Sequence, residues 1–244
     1  MNSMKNRTRR RLQLLGAVLV AALAIVVVAV VAGSGGSGTH KVQAGKPPTG
    51  SAEVAARFAG IPQNGTVLGN PKAPLTLVEF ADLKCPICRE YTLSSLPTLV
   101  QKYVRTGKVK MVLELQHFVG DQDGDSERGA RMALAAAQQN KLWQFADLFY
   151  INQQSETATY VNDFFLRAIG SGVRGLDVNR AFAVRNTQPI TQELAQSSAA
   201  FNSAGFTGTP SFALGRTGAT LTPLNVSSFA VSQFSGPIDK LLAG

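Results

Sequence analysis

Cysteine and histidine are scarce in this 244-residue chain, with two of each: Cys85 and Cys88, His40 and His117. Two cysteines cannot form a disulfide framework, and a chain of this length can bury a self-sufficient core without one. Tetrahedral zinc on the Cys-x-x-Cys pair would need two further ligands, for which only the two histidines offer nitrogen. No cysteine lies near the end of the N-terminal apolar run, which excludes a lipid-anchored lipoprotein. Internal repeats with a period of 20 to 50 residues are missing, so a solenoid or propeller is excluded. Zinc-finger spacings and basic stretches interleaved with aromatics are missing too. The net charge of +9 therefore does not indicate nucleic acid. Five of the positive charges, Lys5, Arg7, Arg9, Arg10 and Arg11, fall within the first 11 residues; the 24 basic side chains less these five leave 19 against 15 acidic ones.

What is present is strongly ordered along the chain. Leu14 to Ala32 is a run of 19 residues without a polar side chain, and at about 1.5 Å per helical residue it nearly matches a hydrocarbon core of roughly 30 Å. The spacing predicts a transmembrane anchor over 12–32. The basic residues of 1–11 then stay in the cytoplasm under the positive-inside rule, and everything after the anchor lies outside. A cleavable signal peptide, with Val30 and Ala32 before the cut, is the rival reading, and it exports the domain equally. Residues 33–50 begin GSGGSG and read as a flexible spacer with a span of roughly 20 to 25 Å, which keeps the next domain, 51–244, close to the bilayer.

Within 51–244 the pattern predicts an α/β fold. A short helix covers Val54–Ala59, and strands cover Thr66–Leu68 and Leu75–Ala81, the second apolar on both parities as a central strand requires. Glu79 on that strand is then buried; a carboxylate turned to solvent at a sheet edge is the alternative. A helix from Cys85 to near Gly107, kinked at Pro97, leads into a strand over Val109–Leu115, completing a parallel βαβ unit. From about Ser126 to Ala204 the apolar period is helical throughout, with Trp143 in the core stripe, so an insertion over about 124–204 interrupts the sheet-forming sequence. A hairpin of Ser211–Leu214 with Ala219–Leu221 and a final helix over Val226–Leu242 close the chain.

The chemistry concentrates in Cys85-Pro86-Ile87-Cys88, where a buried strand gives way to a helix. The unpaired N–H groups and positive dipole end of that helix stabilise an anion at Cys85 and lower its pKa, while Cys88 sits shielded one turn inside. Pro86 suits the first helical position because its missing N–H has no partner there. This reads as a redox-active dithiol with Cys85 as nucleophile and Cys88 as resolving thiol. Half of a zinc site and a structural disulfide are the competing readings, though so small a loop removes little unfolded-state entropy. Lys84 and Asp82 read as solvated side chains, and His117 as structural with a place near the active site open to it.

VEFADLKCPICREY, the helical block, and GFTGTPSF together resemble the DsbA-like branch of the thioredoxin superfamily, in its membrane-anchored bacterial form, over about residues 62–242. The resemblance implies a thioredoxin fold with a helical insertion that exchanges disulfides with exported proteins as a dithiol oxidase. No cofactor beyond the Cys85–Cys88 disulfide and no metal are expected. It also implies a cis proline at Pro210, which with Thr209 lies beside the cysteines and pairs with an extended client. Glu79, six residues before Cys85, matches the family's buried carboxylate, placed to exchange a proton with the resolving thiol. The implied partners are reduced exported proteins and a membrane quinone-linked oxidase of DsbB or vitamin K epoxide reductase type. The Pro-Ile dipeptide between the cysteines lacks the histidine of the best-known oxidases. A reductase or isomerase, and a non-catalytic membrane-tethered client-binding protein, are the alternatives.

Overall fold

The computed structural model describes residues 46–120 and 123–244. The basic cluster, the apolar run and the spacer up to residue 45 lie outside the described residues; among the described residues no helix is long and apolar enough to cross a membrane. The end of the spacer is docked on the domain. Pro48 is buried, and Thr49 exchanges two hydrogen bonds with Asn152.

Six strands form one sheet in the order β1-β2-β4-β3-β5-β6: β1 Gln63–Asn64, β2 Val67–Leu68, β3 Leu75–Asp82, β4 Val109–Gln116, β5 Ser211–Arg216 and β6 Thr222–Pro223. Among the described residues only β3 and β4 pair in parallel, as the two ends of the βαβ unit. β3 is buried along its whole length, between β4 and β5. Because side chains alternate across a strand, Val78 and Phe80 join Phe201 and Ala213 on one face, while Leu75, Leu77 and Ala81 enter the main core on the other. Glu79 shares the parity of the second set. Fully burying one of these leucines contributes roughly 1.5 to 3 kcal/mol, so a one-residue slip of β3 would lose several such contributions and is strongly disfavoured.

Nine helices follow among the described residues: α1 Ser51–Phe58, α2 Pro86–Ser94, α3 Leu96–Leu99, α4 Asp125–Ala137, α5 Leu142–Ile151, α6 Asp163–Gly172, α7 Val178–Val184, α8 Gln188–Ser203 and α9 Val231–Ala243. α4 to α8 fall within the segment inserted between β4 and β5. The last of them, α8, returns to the sheet and packs on β4, where Gln116 donates to the Ser197 hydroxyl at 2.8 Å. Trp143 is buried and donates its indole N–H to the Thr66 carbonyl at 2.9 Å, tying α5 to the turn before β2.

The structure departs from the sequence pattern at several boundaries. The helix predicted to run on to Gly107 is broken, not merely kinked: α2 ends at Ser94, and α3 starts at Leu96 with Pro97 in its first turn, where a missing N–H is harmless. Ser95 at the break donates its hydroxyl to the Phe229 carbonyl. A π turn over Val100–Val104 ends the segment. The second arm of the hairpin is Thr222–Pro223, not Ala219–Leu221, because β5 runs on to Arg216 and moves the turn outward. The final helix begins at Val231. β1 has only two residues and no periodicity to betray it.

Candidate functional site

Cys85 is the N-cap of α2, with extended backbone (φ −70°, ψ 120°) and Pro86 as the first helical residue. A tight turn delivers it from β3: the Cys85 N–H donates to the Asp82 carbonyl at 3.0 Å. The capping role normally filled by a serine or aspartate oxygen falls to sulfur, since the Cys88 N–H points at Cys85 Sγ at 3.4 Å. Both cysteines are free thiols. Donors gathered on one sulfur pull the Cys85 pKa down to about 6. The Cys88 thiol is the largest influence, burial opposes it, and the Cys88 N–H, Thr209 and the Ile87 N–H add to it. Cys88 has no exposed surface, and burial drives its pKa well above the ordinary thiol value, with the Cys85 sulfur adding to the rise. The two thiols are thus polarised: one ionised at neutral pH, the other held protonated.

Thr209 and Pro210 face this pair from the turn before β5, and the peptide bond between them is cis. The Cys85 thiol donates to the Thr209 carbonyl at 3.3 Å. An ionised sulfur has no proton to donate. The Thr209 hydroxyl is buried without a hydrogen-bond partner among the described residues, and Thr209 helps to lower the Cys85 pKa. Thr209 and Pro210 are both partly exposed, and so is Ile87, at 48%.

Glu79 lies on β3 and is 2% exposed. Burial raises its pKa to about 8, with the Asp147 charge as the second cause. Tyr150 of α5 joins the two centres: charges on Cys88, Glu79, Asp82 and Cys85 all reach its phenol and add to the effect of burial in raising its pKa. Its hydroxyl donates to the Asp82 carbonyl at 3.1 Å.

Lys84 and Asp82 overturn the reading of solvated side chains, since both have no exposed surface. Asp82 Oδ1 accepts from the Lys84 N–H at 2.8 Å and the Ser126 hydroxyl at 2.7 Å, and Oδ2 from the N–H groups of Phe118 and Val119 at 2.9 Å each. Burial pushes its pKa up against those four bonds. The Lys84 ammonium meets Asp125 at 3.2 Å and donates to the Ala158 carbonyl at 2.7 Å, 5.0 Å from the centre of the Tyr160 ring. These charges are clamped because the inserted helices lie over the end of β3. Gln153, just past α5, reinforces the clamp by donating to the carbonyls of Leu83 at 2.7 Å and Cys85 at 3.1 Å. Nothing local in the sequence marks Gln153. Asp147 had a signal, being the one charged residue in the otherwise apolar α5 sequence LWQFADLFYI. His117 follows β4, half-buried, and takes no part in the hydrogen bonds around the cysteines. Among the described residues no cluster of three or more His, Cys, Asp or Glu side chains could hold a metal ion.

A family model described as thioredoxin matches residues 62–226 of the chain. The protein of Bacillus cereus named "Probable disulfide bond formation protein D" is 36% identical over 104 residues, covering 42% of this chain and 47% of that protein; the chain thus spans about half the length of this curated relative. Two solved structures share the fold. BdbD from Bacillus subtilis in its oxidised form superposes with a TM-score of 0.63 at 19% identity, covering 75% of this chain and 98% of that one. Wolbachia pipientis alpha-DsbA1 gives 0.60 at 21%, covering 77% and 96%. With more than half of its length matched by the family model, the chain belongs to the thioredoxin family.

Proposed function

We propose that this chain is an extracytoplasmic thiol:disulfide oxidoreductase that exchanges disulfides with exported proteins, with net flow in the oxidising direction. The observation that carries the proposal is the polarised pair: a Cys85 thiol depressed to about 6 at a helix N-terminus, beside a Cys88 thiol driven up by burial. A low thiol pKa at the nucleophile stabilises the reduced enzyme and so makes its disulfide a better oxidant. In the oxidised enzyme a client thiolate attacks Cys85 Sγ. The Cys85–Cys88 bond breaks, and Cys88 leaves as a thiolate that takes a proton from the Glu79 carboxyl. A second client thiolate then attacks the client sulfur of the mixed disulfide. Cys85 leaves as a stable thiolate, and two electrons have passed to the enzyme. Thr209 and Pro210 receive the client as an extended strand, which gives affinity with little side-chain selectivity. The pair carries the electrons itself, so the chemistry calls for no other cofactor.

The apolar run over 14–32 supports an N-terminal anchor with the catalytic domain outside the membrane, where a quinone-linked membrane oxidase of DsbB or vitamin K epoxide reductase type would reoxidise the pair. The test is transfer of a disulfide from the oxidised full-length chain to a reduced two-cysteine peptide, followed by loss of peptide thiols. Transfer is expected in the wild type and abolished in Cys85→Ser. A chain that transfers nothing, or a Cys85→Ser variant that transfers as well as the wild type, refutes the redox reading and leaves a client-binding protein. Equilibrium with glutathione separates the directions, since a potential near that of thioredoxin would make the chain a reductase.

A further inference from the structure

The redox pair is not the only titratable arrangement in the core. Glu79 of β3 and Asp147 of α5 line the same cavity, walled by Trp143 and Tyr150 and of about 10 Å³, which is room for a single water molecule at most. Two buried carboxyls on one cavity need an explanation, because each ionised form loses its hydration there. Asp147 has a partial answer. Its Oδ2 is paired with Arg57 of α1, a residue only 9% exposed, and Arg57 also contacts the exposed Glu53 at 2.5 Å. Its Oδ1 is buried and has no hydrogen-bond partner among the described residues. Glu79 has no cation paired to it among the described residues, so the two carboxyls are unequal: the one facing Arg57 ionises first, and its charge opposes ionisation of the other.

We infer that Asp147 is a positioning residue for the redox reaction: held by Arg57, its carboxylate raises the proton affinity of Glu79 across the shared cavity, so that Glu79 keeps a proton to give to Cys88 at neutral pH. The inference rests on the redox reading of Cys85 and Cys88. Every charged or titratable neighbour is consistent with it. From α2, Tyr91 and Cys88 stay neutral, because burial raises both; from α5, Tyr150 does the same. Asp82 and Cys85 add negative charge that reaches the Tyr150 phenol. From α1, Arg57 stabilises ionised Asp147 while Glu53 opposes it. Burial raises Asp147 to about 7, against Arg57, and Glu79 to about 8, so near pH 7 the pair holds between one and two protons, with Glu79 the last to lose its own. The α5 insertion thereby supplies a charge to the active site of the sheet domain, 68 residues along the chain from Glu79 to Asp147.

The experiment follows Glu79 directly and through the chemistry, in the full 244-residue chain. Side-chain carboxyl carbons of glutamate are labelled and their NMR shifts followed from pH 5 to 10, with Glu79 identified as the signal lost in Glu79→Gln. In parallel, Cys85 is loaded as a mixed disulfide with a small aromatic thiol, and release of that thiol by Cys88 is timed against pH. The expected result is a Glu79 midpoint near 8 that falls by about one pH unit in Asp147→Asn, with the release profile moving by the same amount. Asp147→Asn should have no effect on the profile in the Glu79→Gln background. Asp147→Asn leaves Arg57 with the exposed Glu53 alone, which weakens the fold. The combined Arg57→Gln, Asp147→Asn chain removes both charges and must shift the midpoint downward too. An unmoved midpoint in these variants, or an Asp147→Asn shift of the profile that persists without Glu79, overturns the inference while the redox reading stands. Absence of thiol release from the wild type would instead sink the redox reading, and the NMR titration would still decide whether Asp147 controls Glu79.

Discussion

Replacement of Cys88 by alanine isolates what sets the acidity of Cys85. The Cys88 thiol makes the largest contribution to holding Cys85 near 6 against an ordinary value of 9.0. Without it, burial is opposed only by the Cys88 N–H, Thr209 and the Ile87 N–H, so the midpoint should rise. The size of the effect follows from linkage. A thiol of pKa 6 is about nine-tenths ionised at pH 7, and its ionisation stabilises the reduced enzyme by about 1.4 kcal/mol relative to an ordinary thiol. Solvent screening at this helix terminus reduces that to about 1 kcal/mol, or roughly 20 to 30 mV in a two-electron couple. The sign is that of a depressed acid. The contribution is fully present above the ordinary pKa, shrinks as pH falls, and is gone below about 6. Thiolate absorbance near the ultraviolet edge, titrated in wild type and Cys88→Ala, measures both midpoints. A wild-type midpoint near 9, or one that Cys88→Ala leaves unmoved, would refute the account of how this helix terminus activates its cysteine.

Three further outcomes follow from the same geometry. Ile87→His places an imidazole in the exposed dipeptide between the cysteines, and its charged form should lower the Cys85 midpoint by about 1 unit and make the disulfide more oxidising, measured against glutathione. Lys84→Met breaks a fully buried ion pair while Asp125 keeps Arg128 and the N–H groups of Tyr160 and Val161; the expected loss is about 2 kcal/mol in urea unfolding, and no measurable change would show the clamp to be dispensable. Glu79 carries a pKa raised to about 8 in the fold against 4.5 in the unfolded chain. The fold therefore binds more protons between those values, and stability should fall as pH rises from about 5 to 8, by up to about 1.4 kcal/mol per unit. Glu79→Gln should flatten that slope in denaturant titrations, and a slope that is unchanged would assign it elsewhere.

Much of the local structure was legible because its causes are local. Pro86 at the first helical position, a strand apolar on both parities, and 3.6-residue periods through the inserted block each act within a few residues. Boundaries failed where a distant contact set them. Ser95 breaks the first long helix against Phe229, and the hairpin turn moved because β5 continues to pair with β3 as far as Arg216.

The sequence by itself determined a cysteine pair at the start of a helix and a sheet interrupted by helices. It did so because a helix terminus, its N1 proline and a buried strand are properties of adjacent residues. Only the tertiary structure decided which charges are buried. Lys84 reaches Asp125 across 41 positions, Arg57 reaches Asp147 across 90, and Cys85 meets Thr209 across 124. A lone lysine or aspartate in a sequence is solvated by default, since an unpaired buried charge is too costly. The fold reverses that default by bringing each charge its partner.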